Sequence, residues 1–298
     1  DEAHIVYNFA LPPLVLHPFY AEDTHDISRW AAGLELPSAQ THLFNMLLTH
    51  DGVGVQGVKG ILTREQIGAM IEVAKTHGAY ISYKSTEEGE EPYEINTTWW
   101  SAINMDGSTE PIALQVKRYV ASRSIALVLK GIPGIYTHGA IALPNDHKLV
   151  EQTGVKRDVN RGVIDTEIFR KHLHEPGSKR SLLRLEQREI SKMRTRNRAF
   201  HPAGEMQVLT PSSRVFTVLR ISPDGERRVL ALTNVTNEVV NVEIPIADVG
   251  VEDKDWYDLV AGEHWSGDAA TLRVELGPYD VMWLVPTRER LEDRRLGR

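Results

Sequence analysis

The chain has 298 residues, of which 41% are hydrophobic and 25% charged, enough for a large folded domain and a small one. Lys and Arg total 34 against 41 Asp and Glu, with no basic stripe, which argues against nucleic acid as a partner. The absence of cysteine excludes disulfides and thiolate chemistry. No apolar run reaches the roughly 18 residues of a membrane span, so we expect a soluble, cytoplasmic protein without a membrane partner.

Residues 1 to about 200 alternate between strand patterns and helix patterns. Strands are predicted at residues 5–9, 43–48, 79–83 and 131–136. Pro12 and Pro13, which follow the first of these runs, are predicted to end it. Helices are predicted at residues 26–33, from the capping-box pattern Thr63–Gln66 to Gly78, and at 111–130, 165–174 and 182–197. This alternation is typical of an α/β fold with parallel strands.

Residues 87–92, Glu-Glu-Gly-Glu-Glu-Pro, combine charge with turn-forming residues and are predicted to be a surface loop. A solvated connection and a functional loop are both compatible with this composition. The following pair Trp99-Trp100 is either a platform for a sugar ring or part of the core. In a chain with 6 tryptophans, core packing is favoured for at least one of the two.

The pattern changes after residue 204. Strands at residues 215–220 and 228–232 flank Pro223-Asp224-Gly225, which is a hairpin signature. Further short strands are predicted at 239–246, 256–260, 271–276 and 281–285. We therefore expect a partial barrel domain at residues 1–200, an antiparallel β domain at 205–286 and a charged tail at 287–298.

A candidate catalytic site follows the predicted strand at residues 43–48. His50 and Asp51 come where the apolar run ends, and Gly52 and Gly54 follow them. In a parallel barrel the carboxyl ends of the strands point to the active-site mouth, and glycine lets a substrate approach the backbone. This position predicts that His50 and Asp51 lie in an active site.

Five blocks of residues occur together in a recognisable order. They are His50-Asp51-Gly52, Tyr93-Glu94-Ile95-Asn96, Gly-Ile-Pro-Gly-Ile-Tyr at 131–136, Asn145-Asp146, and Arg-Asp-Val-Asn-Arg at 157–161. In this order and spacing the chain resembles the sucrose-phosphorylase subfamily of the α-amylase-type glycoside hydrolases, which includes sucrose, glucosylglycerol and glucosylglycerate phosphorylases. The resemblance implies the carboxyl-terminal part of a (β/α)8 TIM barrel, strands six to eight. It also implies a small insertion at about 52–110 and a following antiparallel β domain.

The resemblance also implies that two catalytic groups lie upstream of Asp1. Retaining enzymes use a carboxylate nucleophile and a carboxylic acid about 5 Å apart, and the family carries them on strands four and five. The chain opens at Asp1 without a methionine and enters a strand almost at once. We therefore expect a missing amino-terminal half, in the same gene or on a second chain. Asp51 is the implied third carboxylate, which binds the sugar and stabilises the transition state.

The other implied site residues each have a structural alternative. By the resemblance His50 bonds hydroxyls of the glucosyl unit, although a packed histidine at a strand end is also possible. Arg157 holds the far side of the ring, or is a surface arginine beside a helix. Asp146, with Asn145, shapes the same rim, or both are turn residues.

The acceptor loop departs from the pattern of sucrose phosphorylases. Those enzymes tend to show leucine, tyrosine and glutamine where this chain has Pro92-Tyr93-Glu94. By the resemblance Tyr93 contacts the acceptor or phosphate, and Glu94 accepts bonds from acceptor hydroxyls, which suits a polyol or another non-fructose acceptor. The neighbouring glutamates would repel an anionic acceptor unless Lys59 and Lys84 offset them.

The resemblance predicts an enzyme, a retaining α-glucoside phosphorylase. It would transfer glucosyl from a small glucoside of the sucrose, glucosylglycerol or glucosylglycerate type to inorganic phosphate and give α-glucose 1-phosphate. We expect no metal and no organic cofactor, since no pair of histidines shows the spacing of a zinc site. The alternatives are an α-glucoside hydrolase or transglycosylase and a catalytically inert fragment. Release of α-glucose 1-phosphate that depends on phosphate would separate the phosphorylase from the hydrolase.

Overall fold

The computed structural model describes residues 3–36, 38, 40–87, 89–251, 253–268 and 270–289. Most of the charged tail predicted at 287–298 lies outside these residues. The first part contains β1 (Ile5–Tyr7), α1 (Leu11–Ala21), α2 (His25–Ala32), β2 (His42–Asn45), β3 (Val53–Gly54), α3 (Arg64–Thr76), β4 (Tyr80–Thr86), β5 (Gly89–Asn96), α4 (Trp99–Ile103), α5 (Ile112–Val128), β6 (Ile132–Pro133), α6 (Thr137–Ala140), α7 (His147–Thr153), α8 (Thr166–His174) and α9 (Lys179–Arg196). Short 3-10 turns occur at Gln56–Val58, Lys156–Asn160 and Arg198–Phe200.

Three short parallel strands form the centre of the first part. They lie in the order β1-β2-β6, with Phe44 opposite both Tyr7 and Ile132. Gly131, at a φ of 131°, enters β6 where an added Cβ would lie 2.5 Å from the Leu43 carbonyl oxygen, so a side chain would clash there. This is the arrangement expected of strands six to eight of a barrel.

The strand β2 is shorter than its apolar run. It ends at Asn45, whereas Leu47 and Leu48 remain buried in the core beyond the last strand pair. The run of leucines therefore reflects burial, which continues after strand pairing stops. Trp99 and Trp100 are also both buried, which confirms core packing and leaves neither as an exposed sugar platform.

The helix α1 was not predicted from sequence. Pro12 and Pro13 follow the first strand, as expected, but they occupy the first turn of a helix. Proline is tolerated there because the first backbone N–H groups of a helix have no carbonyl partner within it. Leu11, Leu14 and Leu16 are fully buried, so packing stabilises this helix despite its prolines.

The insertion after Asp51 is a small antiparallel sheet of order β3-β5-β4 with α3 beside it. The capping box is confirmed, since the Thr63 hydroxyl accepts from Gln66 N and the Gln66 side chain accepts from Thr63 N. The loop predicted at residues 87–92 is wrong over most of its length, because Glu90 and Glu91 belong to β5 and pair with β4. A hairpin can place charged side chains on its solvent face, so charge alone did not exclude a strand there.

The second part is antiparallel and contains β7 (Glu205–Leu209), β8 (Val215–Ile221), β9 (Arg228–Asn234), β10 (Val240–Pro245), α10 (Ile246–Val249), β11 (Asp255–Asp258), β12 (His264–Ser266), β13 (Thr271–Leu276) and β14 (Val281–Pro286). Six strands form one sheet of order β12-β11-β14-β9-β8-β7, and β10 pairs with β13. One core lies between the two sheets, and the other face of the larger sheet shares a core with the barrel helices. Because the parts share this core, their division into separate domains stays a prediction.

Arg220 ties the larger sheet to the barrel helices. It is fully buried on β8 and donates to the backbone oxygens of Glu205, Val128 and His201 at 3.1, 2.8 and 2.9 Å. Burial lowers the pKa of Arg220 to about 10. Three carbonyl acceptors therefore replace the water that this guanidinium has lost.

Within the described part of the chain, no helix is long and apolar enough to cross a membrane.

Candidate active site after the second barrel strand

The backbone of His50 and Asp51 is held by the 3-10 turn Lys156–Asn160 and the residue that follows it. The Asn160 amide donates to the Asp51 carbonyl oxygen at 2.9 Å, and Arg161 Nε donates to the His50 carbonyl oxygen at 3.0 Å. The Asp51 N–H also donates to the Thr49 hydroxyl at 3.1 Å. These three hydrogen bonds fix the backbone that carries the Asp51 side chain, in the turn between β2 and the insertion.

The Asp51 carboxylate lies near two guanidinium groups and the His50 imidazole. Its Oδ1 is 3.1 Å from Arg157 Nη1 and 3.7 Å from Arg161 Nη2, and its Oδ2 is 3.6 Å from His50 Nε2. The Asp51 side chain is 38% exposed and that of His50 is 68% exposed. His50 is therefore not a packed histidine, and both side chains are accessible to a ligand.

Glu94 on β5 braces this group from the buried side. Only 4% of Glu94 is exposed; its Oε1 accepts from Gly52 N at 3.0 Å and its Oε2 accepts from Arg157 Nε at 2.9 Å. The hydrogen bond to Glu94 raises the pKa of Arg157. At Gly52 an added Cβ would lie 2.5 Å from the Ile95 carbonyl oxygen, so only glycine lets the two segments approach this closely. Arg157 thus forks between Glu94 and Asp51, and is not a free surface arginine.

Tyr93 and Asp146 are placed differently. Tyr93 is half-buried on β5, beside Glu94, and its carbonyl oxygen accepts from Val55 N at 2.9 Å. Asp146 caps α7, where its Oδ1 accepts from Leu149 N at 3.0 Å. Its own N–H donates to the Val159 carbonyl oxygen at 2.8 Å. Asp146 thus contacts the segment that anchors Asp51, and its contacts are those of a capping residue.

Asn145 is buried and bonds backbone and side-chain groups around Thr97 and Thr98. The contacts of this asparagine are those of a turn residue that holds neighbouring segments together.

Sequence reasoning missed Asn160 and Arg161 as individual site residues. Both stand in the block at 157–161, but their contacts run to backbone oxygens about 110 positions earlier. His138 adds a further tie, since its Nδ1 lies 2.7 Å from the Asn160 carbonyl oxygen. Tyr136 packs against His138 with ring centroids 5.0 Å apart. The start of α6, which follows β6, therefore contacts the segment that holds Asp51.

This arrangement supplies one accessible carboxylate that guanidinium groups hold in place. Such a carboxylate can accept bonds from sugar hydroxyls and can stabilise positive charge that develops on a glycosyl ring. The other carboxylates that contact the same arginines, Glu94 and Asp158, are each bonded to one of them. Retaining glycoside chemistry needs a nucleophile and an acid in addition.

The partial barrel of parallel strands and the antiparallel sheets that follow it match the fold of amylase-type barrel enzymes. A solved sucrose 6F-phosphate phosphorylase from Thermoanaerobacter thermosaccharolyticum superposes with a TM-score of 0.63 at 23% identity, over 78% of this chain and 43% of that one. The maltotriose complex of AmyP gives a TM-score of 0.60 at 14% identity, over 95% and 50%. These likenesses confirm the predicted fold class.

Sequence comparison narrows this class. A glucosylglycerate phosphorylase from Spirochaeta thermophila is 37% identical over 97% of this chain and 50% of its own length. A glucosylglycerate phosphorylase from Escherichia coli is 30% identical over 95% and 48%, and a sucrose phosphorylase from Streptococcus mutans is 30% identical over 81% and 47%. No family model matches the chain.

The chain belongs to the sucrose-phosphorylase subfamily and corresponds to a carboxyl-terminal part of its members, which confirms the resemblance seen in its motifs. It spans about half the length of the curated relatives it matches. Those relatives are glycoside phosphorylases by name.

Proposed function

We propose that this chain forms the transition-state-stabilising and acceptor-side part of a retaining α-glucoside phosphorylase. In such a reaction an enzyme carboxylate displaces the donor's leaving group at C1, and a protonated acid gives that group its proton. A phosphate oxygen then displaces the carboxylate from C1, which yields α-glucose 1-phosphate. The amino-terminal half would supply the nucleophile and the acid.

The observation that carries this proposal is the partly exposed Asp51 carboxylate in the turn that follows barrel strand β2, where Arg157 braces it and His50 flanks it. The sugar ring gains positive charge as the C1–O bond breaks. A fixed negative charge beside it stabilises that state more than the ground state. His50 would bond hydroxyls of the same ring, and Arg157 would hold its far side while it orients Asp51.

On the acceptor side we place Tyr93 and Glu94, with Asp146 supporting the rim through the 3-10 turn. Lys59 and Lys84 both contact Glu91, so they offset part of the negative charge on β5. Glu94 itself is neutralised by Arg157. We infer from this balance, and from the names of the relatives, that glucosylglycerate is the preferred donor, ahead of glucosylglycerol and sucrose.

We infer that the open barrel sheet pairs with an amino-terminal half. The strand β1 is an edge of the described barrel sheet, and Ile5 and Phe9 on and beside it are 54% and 72% exposed. An unpaired apolar edge favours pairing with another strand. The relatives contain about as much chain again, so we assign this edge to the preceding barrel strand, on the same polypeptide or on a second one.

The test is to measure release of glucose 1-phosphate from glucosylglycerate, glucosylglycerol and sucrose, with and without phosphate. It is run on the 298-residue chain alone and together with an amino-terminal half. We expect turnover only with both halves and phosphate. Glucose release that does not depend on phosphate would indicate a hydrolase, and no turnover with both halves would indicate an inert chain.

A further inference from the structure

A second candidate site lies on the outer helices, between α6, α8 and α9. A groove there encloses about 390 Å³. It is lined by Ala140, Ile141, Phe169, Leu173, Arg180, Leu183, Arg184, Gln187, Arg188 and Ser191. Its walls are aliphatic and aromatic, three of its side chains are guanidinium groups, and none of these lining residues is a carboxylate.

The charge of this region contrasts with that of the whole chain. Residues 165–198 contain ten Lys or Arg against five Asp or Glu, although the chain as a whole carries a net charge of -7. Positions 180, 184, 187 and 191 recur at helical spacing, so they share the face of α9 that borders the groove. Of these cations, Arg180, Arg184 and Arg188 line the groove, where they place positive potential.

Two hydrogen-bond donors on this face lack partners. Arg180 Nη1 and Gln187 Nε2 are both buried, and neither has a hydrogen-bond partner among the described residues. The Arg180 guanidinium lies over the Phe169 ring, 5.1 Å from its centroid, which limits its freedom to turn towards water. A buried donor without an acceptor is costly, so a ligand that brings acceptor oxygens would relieve both.

We propose that this groove binds a small phosphate-type oxyanion, either inorganic phosphate or a phosphomonoester. Guanidinium groups match the paired oxygens of phosphate, and the Gln187 amide supplies a further donor. The apolar wall around Phe169 and Leu173 can pack against the organic part of a monoester. None of the lining residues contacts Asp51 through the described hydrogen bonds and ion pairs, so this site is separate from the proposed glucosyl pocket.

The test is calorimetric titration of the 298-residue chain with inorganic phosphate and, separately, with methyl phosphate. All proteins carry Arg157→Gln, so that phosphate binding near Asp51 does not contribute. The double variant Arg180→Gln/Arg184→Gln should weaken binding about tenfold. The matched control Arg170→Gln/Arg196→Gln removes the same charge from α8 and α9 outside the groove and should change the dissociation constant less than about twofold. Tighter binding of methyl phosphate would identify a monoester site, and equal or weaker binding an inorganic phosphate site.

A second variant guards against misfolding of the first. Gln187→Leu removes a buried unpaired donor, so it should keep or raise the melting temperature in phosphate-free buffer while it weakens phosphate binding. Three results would overturn the proposal. They are no phosphate binding, equal losses in the groove and control variants, and loss of phosphate binding when an amino-terminal half is added, since the groove would then be a packing surface.

Discussion

Glu94 has two proposed roles, holding Arg157 in place and binding the acceptor, and one substitution can separate them. Its oxygens accept from Gly52 N at 3.0 Å and Arg157 Nε at 2.9 Å. In Glu94→Gln only one oxygen remains, so one of these two donors must face an amide NH2 group. If Glu94 acts mainly by holding Arg157 against Asp51, this change should lower the turnover of every glucoside alike.

The size of the effect follows from the contacts. A hydrogen bond to a charged group contributes about 1.5–3 kcal/mol. Because the Arg157 side chain is 39% exposed, water screens part of the loss, and the lower end of that range applies. We therefore expect kcat to fall about tenfold, since 1.4 kcal/mol corresponds to a factor of ten. The melting temperature should fall by a few degrees.

The assay is steady-state phosphorolysis by the complemented enzyme with glucosylglycerate, glucosylglycerol and sucrose. Glu91→Gln is the matched control, because Glu91 lies on the same strand in a solvent-exposed pair with Lys59, and water screens such pairs. The bracing role would be refuted if Glu94→Gln lowered kcat for only one of the three glucosides and left kcat for the other two unchanged. Such a result would leave Glu94 as an acceptor ligand.

Four further outcomes are expected. Asp51→Asn should lower kcat about 10²–10³-fold with an unchanged melting temperature, because the carboxylate is partly exposed; wild-type turnover would exclude its role. Asn160→Ala should lower kcat about tenfold through loss of the bond to the Asp51 carbonyl oxygen, which kinetics can check. Arg220→Met should lower the free energy of unfolding by about 2–4 kcal/mol, measured in urea, because buried carbonyls lose their donor. Burial lowers the pKa of Lys179 to about 8 from 10.5, so the unfolded chain binds more protons between these values; stability should rise with pH there, and Lys179→Met should flatten that rise.

Local signals in the sequence predicted much of the fold. The capping box at Thr63 and the hairpin around Gly225 depend on a few adjacent residues, and the structure contains both. The helix α1 could not be predicted this way, because Pro12 and Pro13 end a strand and begin a helix with the same residues. The hairpin strand at Glu90 was missed because an exposed strand face tolerates charge.

The sequence motifs contain side chains of the candidate site, but they do not indicate the contacts between those side chains. Asp51 and Arg157 stand in motifs, whereas the distance that joins them, 3.1 Å, depends on how two segments about a hundred residues apart pack. Asn160 and Arg161 donate hydrogen bonds to backbone carbonyl oxygens. Every residue has such an oxygen, so the sequence does not indicate which residue accepts the bond. A sequence pattern identifies side chains with chemistry more readily than it identifies their supports.

The supports of Asp51 have a consequence for how the enzyme would assemble. The Asp51 side chain is held by Arg157 and Arg161, and its carbonyl oxygen by Asn160. The next residue, Gly52, is held by Glu94. All four of these supports belong to this chain. The proposed nucleophile and acid would come from the other half of the barrel. Since these contacts form within one half, Asp51 can be oriented before the two halves meet. Pairing at the two barrel edges, β1 and β6, would then complete the pocket without rebuilding this part of it, because a preorganised charge needs no rearrangement when the reaction begins.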